Sequence, residues 1–275
     1  MLRLGWFSTG RGEGSRGLFT CVKDAIDRGD LEAEIAFLFC NREPGEHEGS
    51  DGFMELVRSH GIPVIALSSQ RFRRERGAAR FADVREAYDE ATMPLLDGHT
   101  ADFHVTAGYG LIFGPAMAQR RPALNLHPAA PDGPVGTWQQ VIWQLIGARA
   151  VMSGAFVHLA TEALDRGPVV SYVTFPVRGG EFDELWREAE ASNVEELRER
   201  FGEELPLLQA IRREGVLRER PLLLETLKAV ASGRIRIAGG EVVGEGGRPT
   251  APVCLNDEVE RAVETAAQPP SENRE

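Results

Sequence analysis

The first half of the sequence alternates short apolar runs with longer stretches whose apolar residues recur at helical spacing, and this alternation constrains the fold most. The apolar runs predict strands at residues 2–7, 34–40, 63–67, 102–106 and 123–127. Helical spacing covers residues 18–28, 52–60 and 80–96. Strands and helices that alternate in this way form a mostly parallel sheet with helices on both faces. We therefore predict a Rossmann-like, doubly wound α/β fold whose ligands bind beyond the carboxyl ends of the strands.

The second half has a different pattern. Residues 154–160 and 169–177 are strand-like, and only residues 161–168 separate them. That connection is too short for a crossover helix, so an antiparallel pair is expected. Helical spacing then runs from about residue 181 to 232 as a helical extension. Breaks in this helical region are expected at Gly202, Pro206, Gly215 and Pro221.

The end of the chain is predicted to hold little regular structure. Residues 234–237 and 241–243 are expected to pair as a hairpin around Gly239 and Gly240. Residues 268–275 contain almost nothing to bury and are expected to be disordered.

The charge and cysteine content exclude several classes of protein. The 31 basic and 42 acidic side chains give a formal net charge of −11, which repels nucleic acid and anionic membranes. Cys21, Cys40 and Cys254 form no C-x-x-C pair, and the histidines lack metal-ligand spacing, so no disulfide framework or metal site is expected. With neither a signal-peptide core nor a membrane-length apolar run, we expect a cytoplasmic protein.

Three segments hold side chains that could do chemistry, and each also has a purely structural interpretation. The glycine-rich stretch 8–17 leads into a helix and could cradle a phosphate, although a tight turn is about as probable. Asn125 and His127 stand two residues apart on one strand face, where a satisfied buried histidine is the alternative. Asp165 precedes Arg166-Gly167-Pro168 and could simply serve a turn. His158 is assigned to the antiparallel strand pair alone.

Taken together, these segments resemble the folate-dependent formyltransferase superfamily, and most closely its glycinamide ribonucleotide transformylases. Four stretches match in the family's order: 7–15, 107–115, 124–128 with its Asn-x-His, and 154–170 with its Leu-Asp-x-Gly-Pro. The resemblance implies that residues 1–180 form the catalytic domain. Residues 181–240 would be a helical extension packed on it, and residues 241–275 a hairpin and tail.

The resemblance also implies an activity and roles for individual residues. A formyl group would pass from 10-formyltetrahydrofolate, as co-substrate and without a metal, to a primary amine. Asn125 would bind the oxyanion, His127 would move protons, and Asp165 would orient His127. The folate would contact Leu111, Ile112, Phe113 and Thr161. The acceptor's phosphate would contact Gly12, Gly14, Ser15 and Arg16.

The sequence departs from the family on the side that would select the amine. Residues 129–138 replace the usual loop, and Arg16 stands where an asparagine is usual. Val216 stands where counting back from Pro221 places the family's amine-binding glutamate, so Glu214 or Glu219 would have to substitute.

These departures leave several functions open. The acceptor is expected to be 5'-phosphoribosylglycinamide or another small amine, which makes small molecules the expected partners, with a homodimer possible. The alternatives are a formyltetrahydrofolate deformylase, a class that usually carries a regulatory domain ahead of the catalytic one, and a folate-binding sensor without turnover. A methionyl-tRNA formyltransferase is disfavoured because its tRNA-binding region should be basic.

Overall fold

A computed structural model describes residues 1–244 and 247–267 of the chain. An eight-stranded sheet forms its centre, in the order β10-β7-β6-β5-β4-β1-β2-β3. The strands of this sheet are β1 Leu2–Ser8, β2 Ala33–Cys40, β3 Val64–Ala66, β4 Phe103–Thr106, β5 Ala123–His127, β6 Met152–Leu159, β7 Val169–Pro176 and β10 Val253–Cys254. Neighbouring strands are parallel except at β5–β6 and β6–β7. The predicted α/β architecture with one antiparallel excursion is therefore confirmed.

Helices cover both faces of the sheet and extend beyond it. Their bounds are α1 Glu13–Asp27, α2 Glu48–Ser59, α3 Ser69–Glu75, α4 Arg85–Thr92, α5 Pro115–Arg120, α6 Trp138–Gly147, α7 Phe182–Ala189, α8 Val194–Phe201, α9 Pro206–Ala231 and α10 Asn256–Ala267. Short 3-10 turns occupy Phe81–Val84, Met93–Leu96 and Gly202–Glu204. In the described part of the chain, no helix is both long enough and apolar enough to cross a membrane.

Two helical predictions need correction. Residues 80–96 do not form one helix, because 3-10 turns flank α4 and Pro94 lies in the second of them. The helix α9 runs through Gly215 and Pro221, where breaks were predicted. Its buried face, which includes Leu208, Leu222 and Leu223, packs on the sheet and on α1, and this packing outweighs the cost of a proline in the helix. The expected breaks at Gly202 and Pro206 are present: Gly202 follows the end of α8, and Pro206 is the first residue of α9.

The carboxyl-terminal region holds more structure than the sequence predicts. The hairpin is present as β8 Arg236–Ala238 and β9 Glu241–Val243. A boundary at residue 240 would cut its turn, and the division into three segments stays a prediction. Beyond the hairpin, β10 adds to β7 and α10 packs on α9, with Arg218 Nε 2.6 Å from Glu260 Oε1. The predicted disordered tail, residues 268–275, lies outside the described residues.

Three apolar clusters hold these layers together and fix the strand ends that matter for function. One packs α1, α2 and α9 on one face of the sheet, and a second, rich in aromatic rings around Phe7, lies under α4 and α5 on the other. A third lies among α6, α7, α8 and α9. Each fully buried large apolar side chain contributes about 1.5–3 kcal/mol. This packing fixes the position of the carboxyl ends of β4 and β5, which lie side by side in the middle of the sheet.

Candidate active site

Four polar side chains meet at the carboxyl ends of β4 and β5. Asn125 and His127 point to the same side of β5, and Asn125 pairs in register with His158 on the antiparallel strand β6. Asp165, in the loop between β6 and β7, closes the group. The structure therefore brings together the three residues that the sequence predicts as catalytic, and adds His158 to them.

His127 is held between two hydrogen-bond acceptors. Its Nδ1 lies 3.3 Å from Asp165 Oδ2, and its Nε2 lies 2.9 Å from the carbonyl oxygen of Pro134. A carbonyl can only accept, so Nε2 must carry a proton, and a second proton on Nδ1 would be donated to the carboxylate. The residue is 2% exposed. This environment favours a His127 that holds protons for transfer.

The orientation of the Asn125 amide follows from its neighbours. The Thr106 hydroxyl donates to Asn125 Oδ1 at 2.9 Å, which fixes the amide nitrogen on the other side. That nitrogen lies 3.0 Å from His158 Nε2 and 3.4 Å from Asp165 Oδ1. The N–H donors of Asn125 therefore point into the cluster, as an oxyanion-binding amide requires.

Asp165 adopts a backbone conformation that serves its position. Its φ of 51° lies in the left-handed region, which aspartate tolerates better than most residues. Burial raises the pKa of its carboxyl, but the adjacent His158 and His127 imidazoles and the N–H of Gly136 outweigh it. The net pKa is lowered, so Asp165 is a carboxylate at neutral pH. It can therefore stabilise a protonated His127.

His158 is a site residue that the sequence interpretation missed. Its Nδ1 lies 2.9 Å from the carbonyl oxygen of Leu159, so a proton there leaves Nε2 to accept from the Asn125 amide. Nε2 also lies 3.7 Å from Asp165 Oδ1. The antiparallel register of β5 against β6, which places His158 opposite Asn125, is what the sequence did not contain.

A cleft of about 490 Å³ opens in front of this cluster. Leu111 and Ile112 line it, together with Asn125, His127 and Asp165. A smaller adjoining recess is lined by Leu111, Ile112, Phe113 and Thr161. All four predicted folate contacts thus line the recess beside the cluster, and two of them, Leu111 and Ile112, also line the cleft. Phe113, 2% exposed, forms the back wall of the recess by packing on Phe7 and Tyr109.

The loop that carries these folate contacts is anchored at its far end. Asp89 of α4 accepts a hydrogen bond from the backbone N–H of Gly114 at 2.5 Å. Burial raises the pKa of this carboxyl to about 6, against the opposing effects of the Gly114 N–H and of Arg85. Asp89 therefore ties α4 to the end of the loop that begins at Ala107.

The predicted phosphate contacts lie beside the cleft. Gly12 caps α1, and Gly14, Ser15 and Arg16 follow in its first turn. Among the described residues, those that line the cleft do not include these four. The loop nevertheless reaches the cleft margin, because Ser15 packs against Gly108, which does line it.

Of the two glutamates considered for the amine, the structure places only Glu219 in the cleft. Glu219 faces it from α9, next to Arg212, and Trp138 of α6 closes the same wall. Glu214 instead pairs with Arg218, at 2.8 Å, in the group that includes Glu260. Val216 is not among the described residues that line the cleft. Within the same described ranges, no group of three or more histidine, cysteine, aspartate or glutamate side chains could hold a metal ion.

The fold and the cluster define an α/β protein with a buried group of asparagine, histidine and aspartate side chains at the carboxyl ends of the strands of a mostly parallel sheet. The family model described as formyl transferase matches residues 12–188. The chain therefore belongs to the formyl transferase family.

Curated relatives share part of the sequence. A phosphoribosylglycinamide formyltransferase from Escherichia coli K12 is 28% identical over 168 residues, which cover 59% of this chain and 69% of that protein. One from Mycobacterium tuberculosis (strain CDC 1551 / Oshkosh) is 32% identical over 138 residues, 49% of this chain and 58% of that protein. The matched part of the chain thus spans 69% and 58% of the length of these two relatives.

Solved structures share the fold. A phosphoribosylglycinamide formyltransferase from Coxiella burnetii has a TM-score of 0.64 at 18% identity and covers 92% of this chain and 98% of its own. A formyltetrahydrofolate deformylase from Pseudomonas syringae pv. tomato has a TM-score of 0.59 at 18% identity, over 88% of this chain and 65% of its own. The sheet and helices are therefore common to transferases and deformylases.

Proposed function

We propose that the chain transfers a formyl group from 10-formyltetrahydrofolate to a primary amine. The observation that carries this proposal is the buried contact of Asn125, His127 and Asp165 at the inner end of the cleft. Family membership supports formyl transfer in general. The geometry supports the three residues as its catalytic group.

The reaction needs a site for a developing oxyanion and a route for one proton. The amine nitrogen attacks the formyl carbon, the carbonyl oxygen becomes an oxyanion, and the bond from carbon to the folate nitrogen then breaks. The attacking amine loses one proton, and the departing nitrogen gains one. Asn125 donates to the oxyanion, a contact whose loss costs on the order of 10²–10³ in rate.

His127 moves the proton, and Asp165 keeps it able to do so. The Asp165 carboxylate, 3.3 Å from Nδ1, stabilises the imidazolium form of His127. The Nε2 proton, which is directed at Pro134 in the free protein, turns to the reacting group once substrate fills the cleft. Asp165 also faces the space from which an amine approaches and can accept its proton.

The co-substrate is placed by the apolar recess. The flat ring system of a folate fits against Leu111 and Ile112, with Phe113 and Thr161 behind them. This position puts the formyl group beside Asn125. The carbonyl groups of Ala107, Gly108 and Tyr109 accept hydrogen bonds from Ser8, Thr9 and Asn41 and hold the loop in place. Backbone groups of residues 110–113 would read the polar edge of the ring.

For the acceptor, we favour 5'-phosphoribosylglycinamide in purine biosynthesis, or a related small amine. Glu219 would hold the amine in the cleft, and the loop at Gly12, Gly14, Ser15 and Arg16 would hold a phosphate at its margin. The curated relatives with this acceptor in their names support the choice.

One assay tests the reaction class. Purified protein is incubated with 10-formyltetrahydrofolate and a panel of amines that includes glycinamide ribonucleotide, and both formylated amine and free formate are measured. Amine-dependent consumption with formylated product is expected. Formate release without amine would instead establish a deformylase, the alternative that the shared deformylase fold keeps open. Folate binding in calorimetry with neither product would mean a sensor.

A further inference from the structure

The wall of the cleft opposite the catalytic group carries a cation that formyl transfer does not require. Arg212 lines the cleft from α9, and its Nη1 lies 2.5 Å from Glu219 Oε1. Its guanidinium carbon lies 4.9 Å from the ring centroid of Trp138. The side chains of Arg212 and Glu219 are only 22% and 11% exposed. The pair is thus a built feature of the cleft wall.

The Arg212–Glu219 ion pair affects which amines can bind in the cleft. An amine without an anionic group would compete with Arg212 for Glu219, and a displaced guanidinium would lose its carboxylate in a partly dry cleft. A ligand that carries both an amine and an oxyanion can replace both partners at once, with the amine on Glu219 and the oxyanion on Arg212. Glu219 and Arg212 then each keep a partner of opposite charge when the ligand binds.

Trp138 makes Arg212 suited to that exchange. A guanidinium over an aromatic face is held in position by the cation–π attraction and keeps its planar fork of donors. Such a fork binds the two oxygens of a carboxylate or a phosphate. Release of Glu219 would leave the fork directed at the cleft.

Arg212 lies apart from the predicted phosphate loop. Arg220, eight residues further along α9, packs its guanidinium on Gly17 of α1. Eight residues of helix rise about 12 Å, so Arg212 lies about that far along α9 from the contact between Arg220 and Gly17. Arg212 lines the cleft, whereas none of the four predicted phosphate contacts is among the described residues that do. An anion at Arg212 would therefore be held by different residues from a phosphate bound at α1.

We propose that Arg212, positioned by Trp138, selects amine acceptors that carry an oxyanion close to the amine. The chemical class is an anion-bearing primary amine, with a carboxylate or a phosphate as the two sources of that charge. The inference rests on the proposed formyl transfer and specifies its acceptor.

Matched acceptors and matched variants test it. Glycine is compared with glycinamide for the carboxylate, and glycinamide ribonucleotide with its dephosphorylated form for the phosphate. In Arg212→Met, the ratio of kcat/KM for the anionic over the uncharged member is expected to fall about 10- to 100-fold in at least one pair. Arg212→Lys should retain part of the ratio. Arg213→Gln, which removes an exposed guanidinium paired with Glu181, should retain all of it.

The outcomes separate the inference from the reaction class. An unchanged ratio in both pairs, in an Arg212→Met protein whose thermal melting matches wild type, would overturn the role of Arg212. If no amine is formylated by wild type, the proposed function fails first. Equilibrium binding of the same four ligands to wild type and Arg212→Met then decides the inference. Loss of affinity confined to the anionic ligands supports it, and equal affinities reject it.

Discussion

His127 and Asp165 form a buried pair in which Nδ1 lies 3.3 Å from Oδ2, and the two residues come from different segments of the same sheet and its connecting loops. His127 ends a central strand, whereas Asp165 lies in a loop after an antiparallel strand. Their side chains are 3% and 7% exposed, so solvent screens the pair little. The antiparallel strand β6 and the loop that follows it thus place the Asp165 carboxylate beside His127.

Removing the Asp165 charge should abolish most turnover while keeping the fold. Asp165→Asn retains the shape and an acceptor for His127 Nδ1 but loses the charge that stabilises imidazolium. We expect kcat to fall by about 10²–10⁴.

Asn125→Ala should lower kcat by about 10²–10³ through loss of the oxyanion donor. Steady-state kinetics with circular dichroism checks both, and near-normal turnover in either folded variant would exclude the assigned role.

The lowered pKa of Asp165 also predicts a pH effect on stability. A depressed folded pKa means that the carboxylate contributes stability above its unfolded pKa, and that this contribution disappears as the pH falls through the folded pKa. The difference in unfolding free energy between wild type and Asp165→Asn should therefore shrink on acidification below about pH 4. Urea unfolding at a series of pH values measures it.

His158 should act as a positioning residue for Asn125. In His158→Leu the amide loses the acceptor that lies 3.0 Å away, so kcat should fall by about 10-fold or more with the KM for the folate little changed. His158→Gln offers an oxygen in a similar place and should recover part of kcat. If the two variants lose the same activity, the role in orienting Asn125 is wrong.

The sequence predicts those site residues that lie in short motifs, and it does not predict those whose position depends on how distant segments pack together. Asn125, His127 and Asp165 lie in short motifs, and the strand that carries the first two follows from the pattern of apolar residues. His158 required the register of β5 against β6, which no local pattern contains. Counting back from Pro221 gives Val216 and leaves Glu214 or Glu219 as the substitute, and only the orientation of α9 in the fold distinguishes the two glutamates. The α9 helix runs through that proline, since its packing on the sheet and on α1 outweighs local propensity.

Glu219 and Glu214 offer a matched pair for the acceptor site. Both lie on α9, but only Glu219 faces the cleft, whereas Glu214 pairs with Arg218. Glu219→Gln should lower kcat/KM for the amine by about 10- to 100-fold, because a charge-assisted hydrogen bond is lost. Glu214→Gln should leave it within about twofold, since Glu214 contacts Arg218 and is not among the described residues that line the cleft. The reverse pattern would move the amine site to Glu214.

Gly167 sets the path of the loop that carries Asp165. A Cβ added there would lie 1.8 Å from the carbonyl oxygen of Leu159, a backbone atom that cannot rotate away. Gly167→Ala should therefore destabilise the fold by about 1–3 kcal/mol and lower activity through displacement of Asp165. Gly14→Ala, where a Cβ would meet open space in α1, serves as the stability control. Equal urea midpoints for the two variants would contradict the steric argument.

Asp89, which anchors the folate loop, should show the opposite pH dependence from Asp165. Its pKa is raised to about 6, so the folded state favours its protonated form. The stability linked to protonation is fully present below the unfolded pKa of about 4 and is lost as the pH rises through about 6.

Asp89→Asn keeps the acceptor for the Gly114 N–H but removes the buried charge. Its unfolding free energy relative to wild type should therefore increase between pH 4 and 6 by on the order of 2–3 kcal/mol and stay constant above. Chemical denaturation across this range measures the difference, with the exposed neighbour Glu90→Gln as control. A difference that stays flat from pH 4 to 7 would show that Asp89 ionises without cost, and that the loop anchor is not the buried carboxylate described.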